Sequence, residues 1–535
     1  MQPCRNFFAV LITSCLVLFS SPLVKAETSD FTITGSGWGH GVGLSQYGAK
    51  ALAQDGASYE EIIDQYFPNN IMNSFSSVMS ETFLANETKP LWVGLTQNSA
   101  SVLFFLESGS AEICFDGPGQ CVAVMEKGVN YRFSTDENGT CSFLKENSNG
   151  FYQKITSFTS CNASIRPTST STIITVPFKA RSYTNGILRF RQPPGGEKIH
   201  TVFQTGIEDY LKGISEIPES WPKASIEAQV IIARSYAVWA AYNRGGISQL
   251  TNQRKLECYC NLVDTSSDQI FRGWTGEYTH PNWVDAVEST ARQILTYEGQ
   301  PSLGLFSSSS GGFTESYENA FGSPEHPYLV SVNDSAAFSD LAGNPHTSWQ
   351  ASYAQAIIAR IFDFSWVMDA EVVEVNDSGS AKTVRIKGIV DGRPKEIFVD
   401  ATHLRTVLSL RSTVFEIFPE SQFTDVELGH FFLGDITGLN QLGITKGCTA
   451  TEFCPEEKVS RAEMAAFLTR ALKLSTTEDT NPYSDTKNHF LNKEISAIHT
   501  AGITKGCTAA EFCPEEKVSR AEMAAFLIRA LALVA

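Results

Sequence analysis

The chain has 535 residues, too many for one ordinary hydrophobic core, so several domains are expected. Its 58 acidic residues outnumber its 41 basic residues and give a formal net charge of −17 at pH 7. An acidic surface of this kind repels nucleic acid and anionic membranes, so neither is expected as a partner.

The first residues have the pattern of an export signal. Arg5 supplies a positive start, residues 7–18 are apolar, and Val24-Lys25-Ala26 ends in a small residue typical of a cleavage site. The apolar run is too short to span a membrane, and no later segment approaches that length. Ile12-Thr-Ser-Cys15 loosely fits a lipoprotein processing site, but apolar residues continue beyond it. We therefore expect residues 1–26 to be removed and the protein to be secreted without a membrane span.

A glycine-rich run occupies residues 35–48. It contains no G-x-G-x-x-G, and Ala49 stands where a P-loop has its lysine, so nucleotide binding is excluded. The glycines instead let the backbone turn tightly around His40, Ser45 and Gln46. His40 has two interpretations at this stage: a hydrogen-bonded loop residue, or a group that contacts substrate.

From residue 91 the pattern changes to short alternating strands separated by Gly, Asn and Ser turns. Residues 165–176 are polar and rich in Ser and Thr, which favours a loop or an insertion. Between residues 180 and 410 helices and strands mix without a βαβ rhythm. A doubly wound sheet is therefore not expected, and the predicted fold class is α+β.

Cysteines in an exported chain indicate disulfide bonds. The pairs expected from spacing are Cys114 with Cys121, Cys141 with Cys161, Cys448 with Cys454, and Cys507 with Cys513. Cys258 and Cys260 are separated by one residue, and a metal site there would need two further ligands nearby. We expect a structural disulfide at this position and no metal.

Glu216 lies on a proline-flanked turn before an amphipathic helix that should begin near Ser225 and end at Gly245-Gly246. A carboxylate held at such a turn can be shielded from water and act as a general acid or base. The polar and aromatic residues of interest on the helix are Gln229, Arg234 and Tyr236. The pattern alone favours an ordinary core helix.

A strand ending in a turn of small residues is predicted at residues 306–315, Phe-Ser-Ser-Ser-Ser-Gly-Gly-Phe-Thr-Glu. It is not a G-x-S-x-G nucleophile elbow, because residue 307 is Ser rather than Gly. Its residue types by themselves indicate only a strand and a turn.

The tail contains an internal repeat, since residues 443–468 recur almost unchanged at residues 502–527. Each copy has an aromatic-x-Asp start, a helical stretch, a cysteine-bracketed loop and a second helix. Ser460 with Glu463, and Ser519 with Glu522, have the spacing of capping boxes that begin the second helix.

Three segments together resemble signatures of the SpoIID/LytB family of peptidoglycan-acting proteins. They are residues 210–236, the glycine-rich run continued by residues 58–68, and residues 306–315 followed by 327–332. The glycine-rich signature follows the core in most relatives, so its early position here implies a permuted arrangement. A permutation predicts that residues 31–70 pack beside Glu216.

The resemblance implies a lytic transglycosylase that cleaves peptide-stripped glycan strands of peptidoglycan. One carboxylic acid protonates the leaving oxygen and then deprotonates the sugar's own 6-hydroxyl, which closes a 1,6-anhydro ring; the family's catalytic glutamate falls at Glu216. No cofactor is required for this chemistry. The substrate-binding residues that the resemblance implies are Gln229, Arg234, Tyr236, Ser309, Ser310, Gly311, Gly312, Thr314, His40, Ser45 and Gln46.

Two other functions stay open. LytB-type relatives are described as amidase enhancers, so a non-enzymatic role beside an N-acetylmuramoyl-L-alanine amidase is one alternative, and a structural wall-binding protein is the other. Some relatives have a His/Cys cluster, compatible with zinc, before a Gln-Val-Tyr-x-Gly run. Here Ser267-Asp268 precede Gln269-Ile-Phe-Arg-Gly273, so those ligands are missing.

The tail resembles S-layer homology repeats, small α-helical modules that anchor exported proteins to a cell-wall polymer. Arg461 and Arg520 match the family's polymer-facing arginine; the other interpretation is a solvated arginine at a helix start. Two repeats are visible where the family usually has three. The expected organisation is an export signal at 1–26, the glycine-rich segment at 27–90, the core at 91–412, and repeats at 420–476 and 480–535.

Overall fold

A computed structural model provides the structure of the protein and describes most of the chain. The described residues are 30–115, 121–137, 139–158, 161–276, 280–391, 393–427, 430, 433–441, 443–477 and 481–518. The predicted export signal lies outside them. Within these ranges no helix combines the length and apolar character needed to cross a membrane.

Fourteen α-helices lie in the described ranges. In chain order they are α1 (Gln46–Gln54), α2 (Tyr59–Tyr66), α3 (Phe75–Val78), α4 (Phe83–Asn86), α5 (Ile207–Lys212), α6 (Lys223–Arg244), α7 (Asn252–Glu257), α8 (Pro281–Ser289), α9 (Tyr317–Phe321), α10 (Gln355–Ile361), α11 (Ala401–Leu408), α12 (Leu433–Gln441), α13 (Arg461–Ala471) and α14 (Asn492–Thr500). Short 3-10 helices cover Pro177–Lys179 and Ser335–Phe338.

Twenty-four strands lie in the same ranges, so the fold mixes helices and strands as predicted. In chain order they are β1 (Asp30–Gly35), β2 (Leu44–Ser45), β3 (Ile71–Ser74), β4 (Leu91–Ser99), β5 (Ser101–Ser108), β6 (Ala111–Phe115), β7 (Cys121–Val124), β8 (Asn130–Thr135), β9 (Cys141–Glu146), β10 (Tyr152–Phe158), β11 (Ala163–Pro167), β12 (Ile173–Val176), β13 (Arg181–Tyr183), β14 (Gly186–Arg191), β15 (Ile199–Thr205), β16 (Leu262–Val263), β17 (Gln293–Tyr297), β18 (Gln300–Pro301), β19 (Phe306–Ser307), β20 (Trp349–Ala354), β21 (Trp366–Val375), β22 (Ala381–Val390), β23 (Arg393–Asp400) and β24 (Phe415–Pro419).

Two large sheets form a sandwich. One has the strand order β10-β9-β8-β5-β12-β13, and the other has β16-β4-β15-β14-β11-β6-β7. Their facing sides are joined by phenylalanines, with the rings of Phe133 and Phe190 only 4.4 Å apart. Burial alternates along β5 and β8, and the inward side chains of both strands are apolar or aromatic.

The loop predicted at residues 165–176 is shorter than expected. The structure places its ends in β11 and β12, where Ile165, Ile174 and Val176 are buried. The Ser/Thr run at residues 168–172 is the turn, and the prediction extended too far into the flanking strands, whose inward side chains are apolar. Only the five residues between the two strands form the turn.

Helix α6 lies in the middle of the helical layer beside the sandwich. It packs against α1, α2, α5, α8 and β17, so it is covered on nearly every side. The predicted amphipathic pattern is therefore wrong: polar residues such as Glu227 and Ser235 are buried along with the apolar ones. The helix ends where predicted, at Gly245, whose φ of +81° suits glycine.

The region predicted as one core at 91–412 contains a second, separate hydrophobic core. Strand β1 lies between β20 and β24, and the sheet β21-β22-β23 with α10 and α11 completes this unit. Residues 30–35 thus pair with strands more than 300 residues later. The glycine-rich run leaves this sheet and continues directly into the first core through β2 and α1.

All five expected disulfide bonds are present in the described residues. They are Cys114–Cys121, Cys141–Cys161, Cys258–Cys260, Cys448–Cys454 and Cys507–Cys513. In the first repeat the capping box at the start of α13 is also confirmed, because Ser460 and Glu463 exchange side-chain-to-backbone hydrogen bonds. The matching residues Ser519 and Glu522 lie outside the described residues.

Candidate active site

Glu216 lies in the loop that joins α5 to α6. The loop is fixed on both sides of the carboxylate, because Ile214 and Ile217 are buried. Gly213 ends α5 against the ring of Phe271, and a Cβ added there would lie 2.3 Å from that ring. The backbone around Glu216 is therefore held by close packing.

The carboxylate of Glu216 is partly buried and has no hydrogen-bond partner among the described residues. Burial raises the pKa of this carboxyl above its ordinary value, and the positive charge of Arg272 opposes that shift. A carboxyl group in this environment holds its proton at a higher pH than an exposed glutamate does. It has the character of a general acid.

The carboxylate faces a cavity of about 410 Å³. Its walls come from five chain segments and α6, which brings together residues far apart in sequence. The lining residues are His40, Glu216, Tyr236, Ser266, Ser267, Asp268, Gln269, Ile270, Gly304, Leu305, Phe306 and Phe321.

His40 lines the same cavity from another chain segment, so the structure brings the glycine-rich run to Glu216. Its Nδ1 accepts a hydrogen bond from the backbone N–H of Val42 at 3.0 Å. Burial, with a smaller contribution from the charge of Arg405, lowers the pKa of His40 to about 4. The imidazole is therefore neutral at pH 7 and carries its proton on Nε2, where it can act as a donor.

Tyr236 also lines the cavity, and its hydroxyl is already engaged. It donates to Asp268 Oδ1 at 2.7 Å, and burial beside that carboxylate raises the pKa of the phenol. Asp268 in turn accepts from Arg244 at 2.8 and 3.0 Å and from the backbone N–H of Val263. This second cavity carboxylate is thus fully paired.

Glu219, the nearest carboxylate to Glu216 in sequence, points elsewhere. It accepts hydrogen bonds from the backbone N–H groups of Asn282 and Trp283 at the start of α8. Its role is that of a capping group for that helix. In the described part of the chain, Glu216 is therefore the cavity carboxylate without a protein partner.

Arg234, predicted to bind substrate, does not line the cavity. Its side chain is 0% exposed. The guanidinium pairs with Glu208 at 2.8 Å and donates to the carbonyl oxygens of Val287 and Gln293. It joins α6 to α5, α8 and β17, because a buried guanidinium needs this many acceptors.

The polar side chains of the serine- and glycine-rich turn also form hydrogen bonds within the protein. Ser310 donates to Asp334, Ser309 accepts from Asn344, and the Thr314 hydroxyl bonds to the neighbouring strand-like segment at Val330 and Val332. Gly311 and Gly312 have φ of +93° and +126°, which permit the turn. The predicted residues Ser309, Ser310, Gly311, Gly312 and Thr314 lie outside the cavity wall, whereas the preceding residues 304–306 form part of it.

Three further predicted residues lie on α1 and α6 or at the start of α1, and they do not line the cavity. Ser45 is buried and caps α1 by accepting from the N–H of Gly48. Gln46 donates to the side-chain oxygen of buried Gln229 at 3.3 Å, which ties α1 to α6. The prediction of direct contact is not what this geometry favours, because none of the three lines the cavity.

Sequence reasoning missed the wall formed by residues 266–270. The Gln269-Ile-Phe-Arg-Gly273 run was recognised, but only in connection with missing zinc ligands. The structure shows that this loop is held by Asp264, which lies just before it, and by Asp268 within it. Within the described residues, the two His/Cys/Asp/Glu clusters compact enough for a metal ion each contain a disulfide-bonded cysteine pair, so those thiols are not free ligands.

Arg461 is not exposed, contrary to the expectation for a polymer-binding residue. It is 3% exposed, its Nε donates to the carbonyl oxygen of Phe512 at 2.8 Å, and its guanidinium lies 5.1 Å from that ring. The cause is the packing of the two repeats, which places the start of α13 against the cysteine-bracketed loop of the second repeat. Arg520 lies outside the described residues.

Comparison with known proteins identifies two kinds of domain. Residues 195–297 match the family described as Stage II sporulation protein, and residues 422–465 and 482–524 match the S-layer homology domain. The chain therefore contains a SpoIID domain followed by two S-layer homology domains.

The similar proteins agree with this division. An amidase enhancer of Bacillus subtilis (strain 168) is 52% identical over 52 residues, which are 10% of this chain and 7% of that protein. Stage II sporulation protein D of the same strain is 30% identical over 130 residues, 24% of this chain and 38% of that protein. S-layer protein EA1 of Bacillus anthracis is 36% identical over 109 residues, 20% of this chain and 13% of that protein. The chain spans well under half the length of each of these relatives.

Proposed function

We propose that the protein is an exported lytic transglycosylase that cleaves peptidoglycan glycan strands and is held at the cell wall by its two repeats. The observation that carries the proposal is the state of Glu216: a partly buried carboxyl with a raised pKa, facing a cavity, with no hydrogen-bond partner among the described residues. A group poised in this way is suited to protonate a leaving oxygen.

The reaction needs one acid and no added water. The protonated Glu216 donates its proton to the glycosidic oxygen as the bond from that oxygen to C1 breaks. The 6-hydroxyl of the same sugar attacks C1, and the Glu216 carboxylate takes the hydroxyl proton as the C1–O6 bond forms. The acid is thereby regenerated, and the product ends in a 1,6-anhydro ring.

The alternative of a hydrolase is less well supported by the site. Glycoside hydrolysis ordinarily uses two carboxylates across the scissile bond. Asp268 is held by Arg244 and Tyr236, and Glu219 caps α8, so neither is free to activate water. His40 supplies a neutral N–H that can bind a sugar oxygen instead.

The test is the product formed from peptide-free glycan strands. We expect the wild type to generate 1,6-anhydro-muramyl ends and Glu216→Gln to lower their yield at least 100-fold, within the range set by loss of a general acid–base group. Chromatography with mass spectrometry of the strand ends provides the measurement. Glu219→Gln is the matched control and should keep its yield per folded molecule.

A non-enzymatic function has its own support, because an amidase enhancer is among the similar proteins. If the wild type yields no 1,6-anhydro ends but stimulates an N-acetylmuramoyl-L-alanine amidase on whole walls, the enhancer function replaces the transglycosylase. If Glu216→Gln forms the ends as fast as the wild type does, Glu216 is not the acid.

A further inference from the structure

Four rings form a continuous surface strip next to the Glu216 cavity. We call the rings of Trp38, His346, Tyr47 and Trp221 the aromatic strip. Successive ring centroids lie 4.7, 5.7 and 5.0 Å apart. Trp38 is two residues from His40 and Trp221 is five residues beyond Glu216, so the strip begins and ends on the segments that supply the cavity.

Trp38 is exposed on a rigid backbone, which is unusual for a large apolar side chain. It is 48% exposed, yet its N–H donates to Ser309 and its carbonyl accepts from the same residue. Gly37 and Gly39 on either side donate to the carbonyl oxygens of His346 and Arg411. Three distant chain segments thus hold a tryptophan facing solvent, and such fixed exposed aromatics mark binding surfaces.

A cation stands at each end of the strip. Arg411 lies 5.1 Å from the Trp38 ring centroid, and Lys50 lies 5.4 Å from that of Trp221. In the part of the chain that the structure describes, neither has a carboxylate within ion-pair distance, although the protein carries a net charge of −17. Lys50 donates one hydrogen bond to the carbonyl oxygen of Ala342 at 2.7 Å, and its remaining N–H groups and the Arg411 guanidinium can bind an anionic group of a ligand.

We propose that the aromatic strip binds the glycan strand beyond the cleaved bond, with sugar rings stacked on its aromatic faces and lactyl carboxylates held by Lys50 and Arg411. The inference rests on the proposed substrate class. Sugar rings offer C–H faces to aromatic side chains, and a muramyl residue freed of its peptide exposes one carboxylate. A peptide-bearing muramyl residue has that carboxylate blocked in an amide, so the two cations make the strip selective for stripped strands.

The stacking part is tested by binding rather than by cleavage. The full chain carrying Glu216→Gln is titrated with fluorescent peptide-free glycan fragments that lack secondary wall polymers, and anisotropy reports the affinity. Adding Trp38→Ala should weaken binding about tenfold. The control is Phe178→Ala, which removes a side chain that is 83% exposed but outside the strip, and it should leave the affinity unchanged.

The charge part is tested with two ligands of equal length. Lys50→Met and Arg411→Gln should each weaken binding of the muramyl glycan several-fold but leave binding of a chitooligosaccharide, which lacks carboxylates, unchanged. Equal loss on both ligands, or no loss on either, overturns the role of the cations.

Two results would overturn the proposal as a whole. One is an affinity for glycan that is the same in the Trp38→Ala and Phe178→Ala chains. The other is a loss of amidase binding, with unchanged glycan binding, when residues of the aromatic strip are replaced. If Trp38→Ala lowers thermal stability, Trp38→Phe keeps a ring at that position and should restore most of the affinity. Because binding is measured on a Glu216→Gln chain, failure of the cleavage assay leaves this result independent.

Discussion

The position of the Glu216 carboxyl is set by two tightly packed residues that lie close to it on either side in sequence. Ile214 and Ile217 are buried on either side, so the carboxyl cannot swing freely into solvent. Partial burial without a hydrogen-bond donor disfavours the charged form. Arg272 moderates this cost without pairing directly with the carboxylate.

The raised pKa of Glu216 predicts a pH-dependent difference in stability. The folded protein holds the proton more tightly than the unfolded chain, whose carboxyl has a pKa near 4.5. The stabilisation from this group is complete below that pH and is lost as the pH rises through the folded pKa. Glu216→Gln removes the titration, so it should gain stability relative to the wild type as the pH rises.

The expected gain is about 1.4 kcal/mol for each unit by which the pKa is raised. Thermal unfolding of the two proteins at a series of pH values between 3.5 and 8 provides the measurement. A difference that stays constant across the series would contradict the raised pKa.

Sequence reasoning predicted Glu216 but could not predict which other carboxylates remain free. Asp268 lines the same cavity as Glu216 and precedes a recognised motif, yet its pairing with Arg244 and Tyr236 depends on how α6 meets the loop after β16. Likewise Arg234 is in a family signature, and only the packing of α8 and β17 shows that it is buried. Side-chain partners across elements are set by tertiary packing, which a local pattern does not contain.

The loop that forms one wall of the cavity depends on α6 for its position. Asp268 accepts hydrogen bonds from Tyr236 and Arg244 of that helix and is also 3.6 Å from Arg254. Its side chain is 2% exposed, so these charges have little access to water. The network holds residues 264–271 as one piece against the helix.

Removal of the Asp268 charge should therefore destabilise the core strongly. Asp268→Asn leaves the guanidinium of Arg244 without its counterion, and such loss in a buried network costs about 3 kcal/mol. Chemical denaturation gives the free energy of unfolding. Glu257→Gln is the matched control, because the exposed Glu257 carboxylate lies 3.6 Å from Arg254 and its replacement should change stability by less than about 0.5 kcal/mol. Similar effects of both substitutions would show that the network is not a stabilising element.

The contact between the two repeats depends on Arg461 at the start of α13. Arg461→Ala removes a buried hydrogen bond to the Phe512 carbonyl and a cation above its ring. We expect the free energy of unfolding of the tail to fall by about 2 kcal/mol. Calorimetry of the full chain provides the measurement, and exposed Lys458 replaced by Ala is the control. Unchanged stability together with lost binding to cell walls would instead favour the polymer-facing role.

Helices with strong local sequence signals were predicted well. Strands whose position depends on pairing with distant strands were not. The limits of α6 and the capping box of α13 follow from a glycine stop and a Ser-x-x-Glu spacing. By contrast, β1 precedes the glycine-rich run but pairs with β20 and β24, and no local pattern contains that register. The second core was missed for this reason.

At the scale of the whole molecule, the SpoIID core and the repeats are joined by packing as well as by the chain. Helix α12 of the first repeat lies against β21 and β24, where Gly438 is close to Met368. The second repeat is connected to the first through α14 on α13 and through Arg461. The first repeat therefore covers a face of the second core.

This arrangement predicts that wall retention and glycan cleavage can be separated. A chain ending at residue 477 keeps α12 over β21 but lacks the second repeat, so the cavity around Glu216 should be undisturbed. We expect this chain to cleave soluble peptide-free glycan within about twofold of the full chain, since no residue near the chemistry changes. Its retention on purified cell walls should fall at least tenfold, because the paired surface of the two repeats is lost.

Co-sedimentation with purified walls, followed by quantification of the pellet, measures retention, and the yield of 1,6-anhydro ends measures cleavage. The full chain with Glu216→Gln provides the opposite control, since it should sediment like the wild type and form at least 100-fold fewer 1,6-anhydro ends. Equal sedimentation of the shortened and full chains would place wall binding in the core, whereas loss of cleavage with intact core folding would mean that the second repeat assists the chemistry.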